Sequence, residues 1–565
     1  MKTRSHFLKV TFVFFLLLSF VVLPVSAQKD NSKGKDKKDK NTSATPAPTP
    51  TPTPTPAAKD YTALMSSLKF REIGPATMGG RIDDIEAVAS DPRIIYVGTA
   101  AGGIFKSVNG GTSWTPIFDK EDVPTIGDIA IAPSDPSILY VGTGESNNRQ
   151  SSSWGGGMYK SIDAGKTWQK IGLAETHHIA RIVVHPTDPN TVYVAATGKL
   201  WGPNPERGVY KTTDGGKSWT LVLKVNDDTG ATDIAIDPRS PGILYAAMYQ
   251  RRRTVFGFNG SGEGSALYKT NDGGTTWKKI TSGMPYDTEN APTPRPEGLL
   301  ETGRIAIAIY AKDSDIVYAM VEHANGGIYR SNDKGETWTR MSDMTNNPRP
   351  MYFSQIRIDP NNDQRLWVAG VTMTYSDDGG RTFSGNFSRA PHADTHAIWI
   401  NPNNSNHLIM GNDGGVNITH DRGVTWDYAN TFAIGQFYEV GADMSMPYKI
   451  CGGLQDNNAW CGPSMSFNPQ GITNSDWYTI GGGDGFYAQP DQNDPDIVYT
   501  ESQDGGLVRR NVKTGENKNI RPREADGEPN YRFQWNSPIL LSKYAPNVVY
   551  YGGNFLFKST DRGDN

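Results

Sequence analysis

Cysteine is nearly absent: Cys451 and Cys461 are the only two in 565 residues. Structural zinc takes four ligands, so this pair alone builds no metal centre, and no metal or cofactor is expected. The two flank GGLQDNNAW, which reads as a hairpin, so a disulfide is expected, with two buried thiols as the alternative. Charge of one sign is missing too. The 56 Lys and Arg stand against 60 Asp and Glu, a net charge of −4. That leaves no basic field for nucleic acid or an anionic membrane. Arg251-Arg252-Arg253 is a local run, expected to cap a loop. No long amphipathic helical window follows residue 60. The one long apolar run, residues 10–25, is short for a membrane span and follows Lys2, Arg4 and Lys9. With Val25-Ser26-Ala27 as a cleavage site, it predicts a signal peptide over 1–27 and no membrane insertion after cleavage. No cysteine follows it to carry a lipoprotein anchor. Residues 28–60, a Lys/Asp run and then a Thr-Pro ladder, are expected to be a disordered spacer. The expected location is secreted or cell-envelope.

What the chain has is turn chemistry: 61 Gly and 37 Pro. An octapeptide recurs as SVNGGTSW (107–114), SIDAGKTW (161–168), TTDGGKSW (212–219), TNDGGTTW (270–277), SNDKGETW (331–338), SDDGGRTF (376–383) and THDRGVTW (419–426). The chain ends inside an eighth copy, STDRGDN (559–565). Intervals of a few tens of residues are the period of a propeller blade, and such units bury their apolar faces only by stacking. Alternating runs such as GVYKT and TLV flank the boxes as half-buried strands do. Between them Asp bonds backbone N–H groups and Gly takes the positive φ of the turn. The Trp is expected to pack on the next unit. Asp163, Asp214, Asp272, Asp333, Asp378 and Asp421 are therefore read as structural.

Inner strands are expected to start near Ile82, Ile126, Ile179, Thr232, Ile305, Ile356 and Ala397, and then near Phe437, Trp477 and Phe533. The fold class is all-β, of four-stranded blades. A seven-bladed propeller over 61–430 is followed by a partial second propeller over 431–565, which reads as truncated. A single ten-bladed ring is the alternative. Aligned inner strands place Asp84, Asp128, Arg181, Asp233, Arg304 and Gln355 around the central channel, where opposite charges on adjacent blades satisfy one another.

The boxes resemble the Asp-box, or bacterial neuraminidase repeat. The pattern across residues 75–565, with blocks such as FREIGPATMGGRIDDI, LWGPNPERGVYKTTDGG and GGLQDNNAWCGPS, resembles the sortilin propeller family. It is also similar, more distantly, to tandem-propeller xyloglucanases. That resemblance implies a binding module, or a glycoside hydrolase with one carboxylate per propeller. The hydrolase's first carboxylate lies in a Thr-Asp-Val-Gly-Gly motif. Here the stretch is Thr99-Ala100-Ala101-Gly102-Gly103, and a methyl group cannot act as base. Asp413 and Asp484 are weak candidates for the remaining acid.

The most chemical stretch is PHADTH (391–396). If it is extended, His392, Asp394 and His396 share a face, suited to a metal, to acid–base work or to a polar entry to the channel. Gln455, Asp456 and Asn457 sit in a Gly-rich loop able to reach the same face. Trp154, Trp201 and Trp460 are read as loop aromatics. The expectation is a binding module for a peptide, protein or glycan. A glycoside hydrolase acting in an inter-propeller cleft is the alternative.

Overall fold

The computed structural model describes residues 61, 65–66, 68–69, 71, 73–74 and 80–565, apart from 150–151, 287–300, 344–346, 386–390, 430 and 432–433. The expected signal peptide and spacer lie outside these residues. The chain divides into a unit ending at Phe70 and one spanning Arg71–Asn565, which carries every sheet.

Among the described residues ten antiparallel blade sheets follow one another along the chain, each led by its innermost strand, and an eleventh, two-stranded sheet pairs Arg252–Thr254 with Gly257–Asn259. Seven inner strands, Ile82–Val88, Ile126–Ile131, Ile179–Val184, Thr229–Ile236, Ile305–Ile309, Ile356–Asp359 and Thr395–Ile400, lead blades 1 to 7. Blade 6 has three strands, and its fourth is reduced to a bridge between Tyr375 and Ser384. Apolar side chains lie between blades. Tyr96 and Ile104 of blade 1 meet Ile126, Ile129 and Val141 of blade 2. The ring closes on itself, because Trp399, Ile409, Val416 and Ile418 of blade 7 pack against Ile82, Ile85 and Phe105 of blade 1. Seven blades therefore complete a ring, and the ten-bladed alternative fails. Blades 8 to 10, with inner strands Phe437–Ala442, Gly485–Pro490 and Ile539–Leu541, form a separate stack. An inner strand was expected to start near Trp477, but Tyr478–Gly481 is instead the outermost strand of blade 8.

β-Bulges interrupt the entry of several inner strands, just before Asp84, Asp128 and Asp233. A bulge re-aims the side chain beyond it. Each carboxylate thereby accepts the N–H of the next inner strand: Asp84 from Ile129 at 2.9 Å, Asp128 from Ile182 at 2.7 Å, Asp233 from Ile307 at 2.9 Å. Gln355 does the same to Ile398 at 3.1 Å.

The octapeptides close outer hairpins. In 161–168, Ser161 Oγ donates to Asp163, the Gly165 N–H donates to Ser161 Oγ, and Thr167 donates to Asp163 through both N–H and hydroxyl. The Thr167 and Ser161 donors pull the Asp163 carboxyl down to about 2. The box Trp packs backwards, correcting the expected direction: Trp168 Nε1 donates to Ile117 O and Trp219 Nε1 to Ile171 O, both of the preceding unit. Cys451 and Cys461 face each other across the blade 8 hairpin and form a disulfide.

Candidate functional site at the mouth of the ring

The loop after the second strand of blade 2 does not stay over its own blade. Asn147 Nδ2 reaches His396 Nδ1 of blade 7 at 3.3 Å, and Asn148 Nδ2 donates to Met351 O at 2.9 Å and to Tyr249 Oη at 3.0 Å. This strap covers the channel mouth. Beneath it remains a cavity of about 20 Å3, lined by Asp83, Asp84, Asp128, Arg181, Arg304 and Tyr352, among others. That is room for about one water. Arg181 fills the axis, 3.0 Å from Asp128, 3.4 Å from Asp233 and 4.0 Å from Asp84. Burial nevertheless raises the Asp84 and Asp128 carboxyls against its pull. The channel is a structural core, so a ligand must bind above or beside it.

Beside it lies a second charged cluster. Arg81, just before blade 1, holds Asp413 of blade 7 with two bonds of 2.7 and 2.8 Å. His396 Nε2 lies 2.7 Å from the same carboxylate, and its ring packs edge-on against Tyr352 at 5.0 Å. Burial alone would raise the Asp413 carboxyl, but His396 and Arg81 hold it far below the usual range. Glu145 sits 3.4 Å from Arg81, and burial still pushes its carboxyl up to about 7. Asp456 of blade 8 comes within 3.7 Å of Arg81. Burial first, and then the ionised Asp413, push the Asp456 carboxyl up to about 8.

The expected shared face of His392, Asp394 and His396 does not form. Asp394 has φ +62°, so the segment is not extended there. His396 turns into the core, while exposed His392 places Nε2 2.9 Å from the Asp456 carbonyl. Gln455, Asp456 and Asn457 do meet blade 7, through Asn457 Nδ2 donating to Asp413 O at 2.8 Å. Asp484 is buried with both oxygens occupied, by the Asp456 N–H at 2.6 Å and by Trp535 Nε1 at 3.2 Å. Trp460 lies within the strand Ala459–Pro463 and is half-buried, whereas Trp154 and Trp201 are exposed. Arg251 is fully buried, and its guanidinium donates to loop oxygens of Ser146, Asn148 and Gly198. No group of three His, Cys, Asp or Glu among the described residues is placed to hold a metal ion.

Between blade 1 and blade 8 runs a groove of about 630 Å3, lined by Arg81, Ala100, Trp114, Asp119, Gln436 and Phe437, among others. Sequence reasoning singled out Ala100 but missed Arg81, Glu145, Tyr352 and the groove aromatics. The visible signals were Gly-Gly-Arg ahead of an inner strand and the polar run GESNN where other blades turn tightly.

A family model described as Sortilin-Vps10 (sortilin, neurotensin receptor 3) matches residues 102–228. An oligoxyloglucan-reducing end-specific xyloglucanase of Emericella nidulans is 24% identical over 353 residues, 54% of this chain and 40% of that protein. A xyloglucanase of Acetivibrio thermocellus is 26% identical over 205 residues, 32% of this chain and 23% of that protein. Among solved structures, an ancestral GH74 enzyme superposes with TM-score 0.60 at 15% identity, over 87% of this chain and 68% of that one. The GH74 xyloglucanase from Xanthomonas campestris gives 0.50 at 14% identity, over 87% of each chain. The fold is a β-propeller. This propeller resembles those of sortilin and, distantly, of xyloglucanases, and the chain spans less than half the length of the two curated relatives named here.

Proposed function

We propose that this protein is an exported propeller module, with a seven-bladed ring over 61–430 and the start of a second propeller over 431–565, that binds a neutral glycan in the groove beside blade 8. The observation that carries the reading is the composition of that groove. Trp114 and Phe437 offer faces for sugar rings, and Arg81, Asp119 and Gln436 offer hydrogen bonds to hydroxyls. Ala100 puts a methyl where the related hydrolases carry a carboxylate. Asp413 is buried in ion pairs and Asp484 is buried beneath the Asp456 N–H and Trp535, so neither presents a carboxyl to a sugar in the groove. The xyloglucanase relatives make a xyloglucan oligosaccharide the first probe. Calorimetry is expected to give saturable binding without release of reducing ends, and Phe437→Ala together with Gln436→Ala to weaken it at least tenfold. Unchanged affinity in that double variant would remove the groove from the reading.

A second reading rests on Asp456. Its carboxyl stays protonated near neutral pH beside an ionised Asp413, a split of the kind that assigns a general acid. Asp119 is then the groove's carboxylate left to act as base. Release of reducing ends from xyloglucan, abolished by Asp456→Asn, would establish this reading over the first.

A further inference from the structure

The strap over the channel carries a charge that no carboxylate among the described residues pairs at ion-pair distance. Arg149 follows Asn148 on it, and its guanidinium lies 5.8 Å from the centre of the Tyr352 ring. Arg349, from the connection between blades 5 and 6, lies over the same ring at 5.0 Å. Beneath them, buried Arg251 donates only to oxygens of Ser146, Asn148 and Gly198. Buried Arg304 donates to oxygens of Asn147, Met351 and Tyr352. The Nε of Arg251 and of Arg304 has no partner. None of these four arginines forms an ion pair among the described residues. Asp394 acts on Arg349, and Asp233 and Glu322 on Arg304, only from beyond ion-pair distance.

Buried charges in proteins are normally paired, and an unpaired guanidinium costs several kcal/mol. Arg81 and Arg181 in the same ring obey that rule with carboxylates on every side. Burial with no carboxylate, together with the neighbouring Arg207 and Arg304, pulls the Arg251 guanidinium well below its ordinary value. The cluster therefore holds a positive potential at a solvent-facing surface, since Arg349 is exposed and Arg149 partly so. On the same loop as Arg149, Trp154 is 69% exposed beside the His177 ring, and on the next blade Trp201 is 50% exposed. Two exposed guanidinium forks suit the carboxylates of a sugar acid, and the exposed indoles on these two loops are faces on which a sugar's C–H side can stack.

We propose that this arginine cap is a second binding site, separate from the blade 8 groove, that takes the carboxylates of an acidic glycan. Arg149 and Arg349 make the contacts, while Arg251 and Arg304 supply the field from below. The test uses the full chain, with an oligogalacturonate, its neutral methyl ester and an oligoglutamate of equal length as probes. Oligogalacturonate is expected to bind, more weakly as salt rises, because screening reaches exposed charges first. The methyl ester is expected to bind at least tenfold more weakly, about one charge-assisted hydrogen bond. Arg149→Gln with Arg349→Gln should lose at least tenfold in affinity with an unchanged melting temperature, and Phe437→Ala in the other groove should lose nothing. If the double variant melts early, Arg349→Gln alone carries the test. The proposal is overturned if the acid does not bind, if acid and ester bind alike, or if the arginine variants keep full affinity. Equal binding of oligoglutamate would overturn it as well, by making the occupant an acidic peptide.

Discussion

Which carboxylates gain a cation decides the behaviour of single residues here. Asp413 is paired with Arg81 and hydrogen-bonded to His396 and stays ionised, while Glu145, at 3.4 Å from the already committed Arg81, keeps a proton up to about pH 7. The ordinary glutamate value is 4.5. Between the two values the folded protein holds a proton that the unfolded chain has released, so this group lowers stability as pH rises through that window. Thermal melts from pH 4.5 to 8 should show Glu145→Gln with a flatter decline than the parent protein. Parallel slopes would mean that Glu145 titrates normally. This cluster was hardly legible beforehand. Arg81 and Asp413 are 332 positions apart, and only ring closure brings them together. The PHADTH stretch looked legible and misled, because alternation holds only along an extended chain and Asp394 leaves it at φ +62°.

Strands and their turns were readable because period-two alternation and the Asp-x-Gly boxes are local signals. Reading failed where the boxes stop: Tyr478–Gly481 carries the aromatic and apolar residues of an inner strand yet lies outermost in blade 8. Glycine explains much of how neighbouring elements fit. Gly98, Gly142 and Gly411 occupy matching places on second strands, each opposite an inner-strand residue, Asp84, Asp128 or Ala397. A Cβ at Gly142 would lie 2.3 Å from Ile179 Cγ2 of blade 3, and one at Gly411 would lie 2.5 Å from Ile82 Cγ2 of blade 1. Blades 3 and 4 place Ala195 and Ala247 in this register, so the spacing between blades is tuned by a single methyl. Gly142→Val should push blades 2 and 3 apart and cost about 1–3 kcal/mol through overpacking. Urea denaturation measures it, and a midpoint equal to the parent's would show that the interface gives way freely.

For the whole molecule the decisive fact is how the ring closes. Among the described residues every blade takes its strands from one continuous stretch, and blade 7 is built from Thr395–Ile400, Leu408–Asn412, Gly415–Thr419 and Asp427–Ala429. Among the described residues the seam between blades 7 and 1 is held by the apolar cluster around Ile82 and Trp399, by Asn403 Nδ2 donating to Ala89 O at 2.9 Å, and by the Arg81–Asp413 pair. A ring closed this way opens first where covalent continuity is missing. Both members of that pair are almost wholly buried, and Asn457 binds the Asp413 carbonyl, so the same residues also join blades 8 to 10 to the ring. Removing Arg81 leaves Asp413 buried at the seam without its guanidinium, beside His396 and Asp456. Breaking a buried pair in this way costs about 3–5 kcal/mol. Arg81→Met should therefore lose amide-exchange protection first in Ile82–Val88 and Leu408–Asn412, while Thr229–Ile236 on the far side of the ring keeps its protection. Uniform loss around all seven blades would mean that the ring unfolds as one unit and that the seam is no weaker than any other interface.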